Sequence, residues 1–152
     1  MKRVLEPELM EEPSPALAYA RADFAEVNQD FVDRFHATFP EIGGGRVLDL
    51  GCGPADIPIR LVRVLPGVTV IAVDGSETML AEARKAVTRA GVSRQVRLIR
   101  ARVPDLPSLL ASASGRAIQL HDSYLVTEHP DGIEIVDQHA LHERILYDRM
   151  RE

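Results

Sequence analysis

Residues 46–54 read Arg46-Val47-Leu48-Asp49-Leu50-Gly51-Cys52-Gly53-Pro54, and this stretch decides the fold. A short β-rich run ends in a glycine-bearing turn. The apolar residues that follow, Ile57, Leu61, Val62 and Leu65, recur at helical spacing. The unit is strand, glycine turn, helix. Downstream, Val68-Thr69-Val70-Ile71-Ala72-Val73 is continuous and β-branched, as in a strand buried on both faces of a parallel sheet, and it stops at Asp74-Gly75. A second helix runs from Ser76 as N-cap to Gly91 as C-terminal stop, with Met79, Leu80, Ala83 and Val87 on one face. Val96-Arg97-Leu98-Ile99 opens a third strand. Strands alternating with helices at this interval predict an α/β, Rossmann-like, right-handed βαβαβ unit in three layers.

Upstream, Ser14-Pro15 is a helix-start signal, and Phe24, Val27, Phe31 and Phe35 follow at helical spacing as an aromatic stripe whose expected role is core packing. Pro40 and Gly43-Gly44-Gly45 then break the chain. From Pro104 to Gly115 the sequence turns small and turn-rich, which places a seam there and divides the chain into residues 1–107, a connection at 108–115, and residues 116–152. Beyond the seam the parallel rhythm stops. Ala117–Thr127 and Ile133–Val136 read as strands flanking Glu128-His129-Pro130-Asp131-Gly132, a β-hairpin, and Leu141, Ile145, Leu146 and Met150 mark a C-terminal helix.

The 152 residues are 45% hydrophobic and 27% charged, the composition of one ordinary globular domain. A net charge of −5 disfavours nonspecific nucleic-acid binding. Cys52 is the single cysteine, so an internal disulfide and a zinc ribbon are excluded. The opening, MKRVLEPELMEEPSP, puts acids and prolines where a signal peptide needs an apolar stretch, and no uncharged apolar run of ~18 residues occurs. The expectation is a cytoplasmic protein without a membrane partner.

Asp49, Gly51 and Gly53 form Asp-x-Gly-x-Gly between strand and helix, where missing Cβ atoms allow close approach and backbone N–H groups stand beside a ligand. Asp74, ending the next strand, has a carboxylate able to accept two hydrogen bonds from the vicinal hydroxyls of a ribose. The plainer reading is a tight turn that binds nothing; Asp74 in register favours a nucleotide-type cofactor. VLDLGCGPADIPIRL and VIAVDGSETMLAEAR resemble the class I S-adenosylmethionine-dependent methyltransferases over roughly residues 15–107. The resemblance implies S-adenosyl-L-methionine as cofactor, with Asp49, Gly51, Cys52 and Gly53 along its methionine part, Asp74 on the ribose, and Gly75, Ser76 and Met79 bordering the adenine. The family often carries an acidic residue after its third strand; Ala101-Arg102 stand there instead. Its fourth strand with a substrate-facing polar motif has no recognisable counterpart, which implies cofactor binding without a complete site for methyl transfer.

Four of the five histidines, His121, His129, His139 and His142, fall in the last third. On a helix His139 and Glu143 share a face, as an ordinary polar pair or as two ligands of one divalent ion. GRAIQLHDSYLVTEHPDGIEIVDQHALHERILYDRM resembles the start of the C-terminal dimerisation domain of MutL mismatch-repair proteins, with DQHALHE the specific match. That resemblance implies Asp137, His139 and Glu143 as part of a zinc- or manganese-dependent nicking site whose later motifs are not in this sequence. Two families joined near the seam describe a chimera, and two functions follow. One is a methyltransferase-like cofactor-binding protein; the other is a MutL-type interaction module whose open sheet edges pair with another copy. A structural expectation accompanies them: Ala117–Leu120 takes the place of the missing fourth strand, with Asp122-Ser123 at its polar end.

Overall fold

The computed structural model describes Ala18, residues 23–101 and the strands 117–120, 124–129 and 132–137, the side chains of the last three being described at Ile133 and Ile135. Among these residues the elements in chain order are α1 (Ala25–Thr38), β1 (Gly45–Leu50), α2 (Asp56–Val64), β2 (Val68–Asp74), α3 (Glu77–Ala90), β3 (Val96–Arg100), β4 (Ala117–Leu120), β5 (Tyr124–His129) and β6 (Gly132–Asp137).

The βαβαβ unit forms as its periodicity predicts. β1 pairs parallel with β2, Val47 opposite Val70 and Asp49 opposite Ala72, and β2 pairs parallel with β3. Alternation along β1 and β2 sends Val47, Val70 and Ala72 into one core, with Phe31, Phe35 and Phe39, Leu61 and Val62 of α2, and Leu80 and Val87 of α3. The opposite face carries a smaller cluster, in which Leu48 and Ile71 pack against buried Leu50 and Val73. The aromatic stripe divides: Phe31 and Phe35 stack with ring centroids 6.4 Å apart and Phe35 meets Phe39 at 5.3 Å, whereas Phe24 and Val27 are exposed. α3 is closed at both ends. Ser76 Oγ accepts from Met79 N at 3.2 Å, and Gly91 stops the helix at φ 73°, a left-handed conformation that glycine takes without Cβ strain.

The sheet has six strands in the order β3-β2-β1-β6-β5-β4. Two expectations are corrected. The segment Ala117–Thr127 is two strands, since β4 pairs antiparallel with β5, Leu120 opposite Tyr124. The place beside β1 belongs to β6, which runs parallel to it with Val47 opposite Ile133 and Leu50 opposite Val136, while β4 lies at the far edge. Ile133 and Ile135 explain the choice: at 5% and 0% exposed they enter the main core, which the alternation of GIEIVD permits and the shorter AIQL does not match in length. The hairpin predicted around Pro130-Asp131 forms, His129 opposite Gly132. The seam, the expected C-terminal helix, the helix start at Ser14 and a layer on the second face lie outside the described residues.

Candidate functional site

β1 ends under the helical N-terminus of α2, and the turn between them is wound tightly: Gly51 and Gly53 have φ of 85° and 52°, and Ala55 follows at 66°. The two glycines meet this left-handed demand without a Cβ. Ala55 does not, at a strain of about 1 kcal/mol. Gly51 and Cys52 both donate their N–H to the Val73 carbonyl at 2.9 Å, and Gly53 N donates to Asp74 Oδ2 at 2.8 Å. The second Asp74 oxygen accepts from Ser76 N at 2.8 Å. Asp74 therefore ties the turn after β1 to the start of α3. The expectation that these backbone N–H groups face a ligand is corrected, because the protein's own acceptors take the donors at 51, 52 and 53. The glycines serve the winding of the turn and its close approach to β2.

Beside this turn lies a cavity of about 250 Å³ lined by Asp23, Phe24, Asn28, Asp49, Cys52, Gly53, Asp56 and Arg60 among others. Asp49, 2% exposed, is among the lining residues, so the wall carries Asp23, Asp49 and Asp56 against the single Arg60. Such a wall suits a ligand end that donates, an ammonium or a hydroxyl. Burial, with the Asp49 and Asp74 carboxylates close by, pushes the Cys52 thiol far above its ordinary range. Cys52 is thus a neutral wall group and no nucleophile.

Of the expected cofactor residues, Asp49, Gly51, Cys52 and Gly53 line the cavity, and Asp74 joins them through Gly53. Ser76 and Met79 are 2% and 5% exposed, spent on capping and packing α3. Sequence reading missed the residues that α1 and α2 bring to the rim. Asn28 Nδ2 and Arg60 Nε both donate to Asp56 Oδ2 at 2.8 Å, and an Arg60 terminal nitrogen donates to Gln29 Oε1 at 2.8 Å. The i,i+4 pair Asp56 and Arg60 was visible in the sequence; its partners on α1 were not, because they depend on how two helices cross. Asp137 closes β6, whereas His139 and Glu143 lie outside the described residues. Among the described residues no group of three metal-ligating side chains gathers. No helix among them is long and apolar enough to cross a membrane.

Known proteins resemble this arrangement. The chain is 31% identical over 135 residues to the DNA mismatch repair protein MutL of Methylocella silvestris, covering 82% of this chain and 22% of that protein. It is 34% identical over 112 residues to the release factor glutamine methyltransferase of Gloeobacter violaceus, covering 62% and 39%. The chain thus spans well under half the length of either relative. Among solved structures, a Methanococcus maripaludis protein assigned as an S-adenosyl-L-methionine-dependent methyltransferase superposes with a TM-score of 0.56 at 19% identity, covering 70% of this chain and 48% of that one. A Geobacter sulfurreducens S-adenosylmethionine-dependent methyltransferase, solved with S-adenosyl-L-homocysteine, gives 0.51 at 21% identity, covering 66% and 41%. Both share the fold. A family model for a methyltransferase domain matches residues 47–138, from β1 through the seam to just past the end of β6. With more than half of its length under that match, the chain belongs to the methyltransferase domain family.

Proposed function

We propose that this chain binds S-adenosyl-L-methionine at the turn after β1. The observation that carries the reading is the Asp74 bridge between the glycine turn and α3, at the C-terminal ends of parallel strands where open α/β sheets hold their ligands. The cavity of about 250 Å³ falls below the roughly 300–1,000 Å³ of a site that encloses a drug-sized ligand, and it fits the amino-acid end of the cofactor rather than the whole. Its acidic wall, Asp49 with Asp23 and Asp56, receives the ammonium; Gly51, Cys52 and Gly53 form the floor. The ribose lies toward Asp74, whose carboxylate, a hydrogen-bond acceptor, closes β2 beside the turn. Gly75, Ser76 and Met79 border the adenine through the backbone at the start of α3. When bound, the cofactor supplies an electrophilic methyl group, and the residues named here hold and orient it.

The test is calorimetric titration of the full chain with S-adenosylhomocysteine. Saturable binding that weakens at least about tenfold in Asp74→Ala, a loss of roughly 1.4 kcal/mol, supports the reading. Heat unchanged in that variant, or none from the folded wild-type chain, refutes it.

A second reading concerns residues 116–152, which the mismatch-repair relatives favour. In it the chain is a fusion of residues 1–107 to a MutL-type piece joined at 108–115, and that piece pairs with another copy or holds zinc or manganese through Asp137, His139 and Glu143. Sedimentation with and without zinc tests it: a monomer that binds no metal removes this reading and leaves the first untouched.

A further inference from the structure

Residues 83–101 hold six basic side chains, Arg84, Lys85, Arg89, Arg94, Arg97 and Arg100, and no acidic one. The net charge of −5 therefore conceals a segregation, a basic stretch set against a more acidic remainder, and the local field follows the segregation rather than the sum. The fold gathers this stretch at one side of the sheet. It runs from the second half of α3 through the connecting turn into β3, the strand at one end of the sheet order, and Ala83 and Val87 of α3 share a core with Val96 and Leu98 of β3. All six basic residues are exposed.

Few of these charges are neutralised. Arg84 pairs with Glu77 and Lys85 with Glu82, each at 2.6 Å on the surface, where ion pairs are weak and exchange readily. Arg89, Arg94 and Arg97 form no ion pair among the described residues. Arg100 Nε donates to the Gly75 carbonyl at 3.4 Å, which sets this side chain on the α3 side of the sheet, while alternation along β3 puts Arg97 on the other face. The basic groups thus turn round the edge of the sheet.

We propose that this edge binds the phosphodiester backbone of a single nucleic-acid strand. Five of the six cations are arginines, whose planar forks match phosphate oxygens two at a time. A flexible strand follows groups that turn round an edge; a duplex, stiff over about 150 base pairs, does not. An arginine on an edge strand also discourages strand pairing, which accounts for Arg97 and not for the residues on α3. An acidic peptide added as a further strand would meet β3 and leave Arg84, Lys85 and Arg89 without a counter-charge. No aromatic residue lies within 83–101, so the contact has no stacking platform and reads no base sequence. None of the six residues lines the cofactor cavity, and the proposal stands independently of the cofactor reading.

The test is fluorescence anisotropy of the full chain with labelled oligothymidylate of about 20 nucleotides across a salt series. Saturable binding is expected in roughly 50 mM KCl, weakening as salt rises with a log–log slope of about −0.7 per phosphate contacted. The triple variant Arg89→Ser, Arg94→Ser, Arg97→Ser is expected to bind at least about tenfold more weakly and to lose about 2 from that slope. Arg34→Ser, at an exposed arginine on α1, is expected to leave both unchanged. No binding by the folded wild-type chain, or an affinity and slope unchanged in the triple variant, overturns the proposal. So does competition by oligoglutamate of equal charge as strong as that of the oligonucleotide, which would make the edge a docking face for an acidic protein, and so does tighter binding of a duplex of the same length. Should the triple variant fail to fold, ultraviolet cross-linking of a 4-thiothymidine-substituted strand to the wild-type chain decides: label in peptides spanning 84–100 supports the assignment, and label confined elsewhere overturns it.

Discussion

At the residue scale the site depends on a few groups whose surroundings dictate their chemistry. Cys52 is the plainest. Its thiol is held neutral by burial and by two carboxylates, so the folded state binds a proton that the unfolded state releases above about pH 8.5, the ordinary thiol range. Stability from this group is intact below that pH and falls as pH rises above it. Thermal melts between pH 7.5 and 10 are therefore expected to drop less steeply in Cys52→Ala than in the wild-type chain. Iodoacetamide at pH 8.5 is expected to label native Cys52 far more slowly than the same residue in urea. Gly67 makes a different demand: a Cβ there would collide with the Gly43 carbonyl oxygen, a backbone atom that cannot swing aside. Gly67→Ala is expected to cost about 1–3 kcal/mol in chemical denaturation, with Gly43→Ala, where a Cβ meets open space, near neutral.

The elements show which parts of this design are local. β1 to β3, α2 and α3 were legible because apolar period, glycine turn and cap residues agree within each short window. The cofactor turn was legible for the same reason, down to Asp49, Gly51, Gly53 and Asp74. Its use of N–H groups was not: that Val73 and Asp74 consume them follows from β1 lying beside β2, a contact between residues remote in sequence. The rim network is of this kind too. Asn28 and Gln29 on α1 meet Asp56 and Arg60 on α2, side chains partly shielded from water, and Asp56→Ala removes an acceptor shared by two donors. It is expected to destabilise by about 1–2 kcal/mol and to weaken S-adenosylhomocysteine binding as α1 loosens over the cavity. Ser76→Ala, which removes the α3 cap, is expected to cost about 1 kcal/mol in denaturant titration.

For the whole molecule the question is whether the last strands belong to the same folding unit as the first three. Ile135, fully buried in the core that also holds Phe35 and Val47, says that they do. Ile135→Ala is expected to cost about 2–5 kcal/mol and to lower the melting of the entire chain in one transition; a biphasic melt with an unchanged first half would count against it. That the later strands join the sheet is an expectation the sequence supports; which of them lies beside β1 is not legible there, because strand pairing is chosen across long separations and the alternation of GIEIVD marks a strand without naming its neighbour. The position of β6 also has a bearing on biosynthesis. β1 is central to the sheet, yet one of its two neighbours is β6, far along the chain, so during vectorial synthesis the hydrogen-bonding edge of β1 stays open until β6 has left the ribosome. The nascent β1–β3 unit is the species a chaperone would meet, and a chain cut short before Gly132 would carry a sheet with the β1 edge exposed.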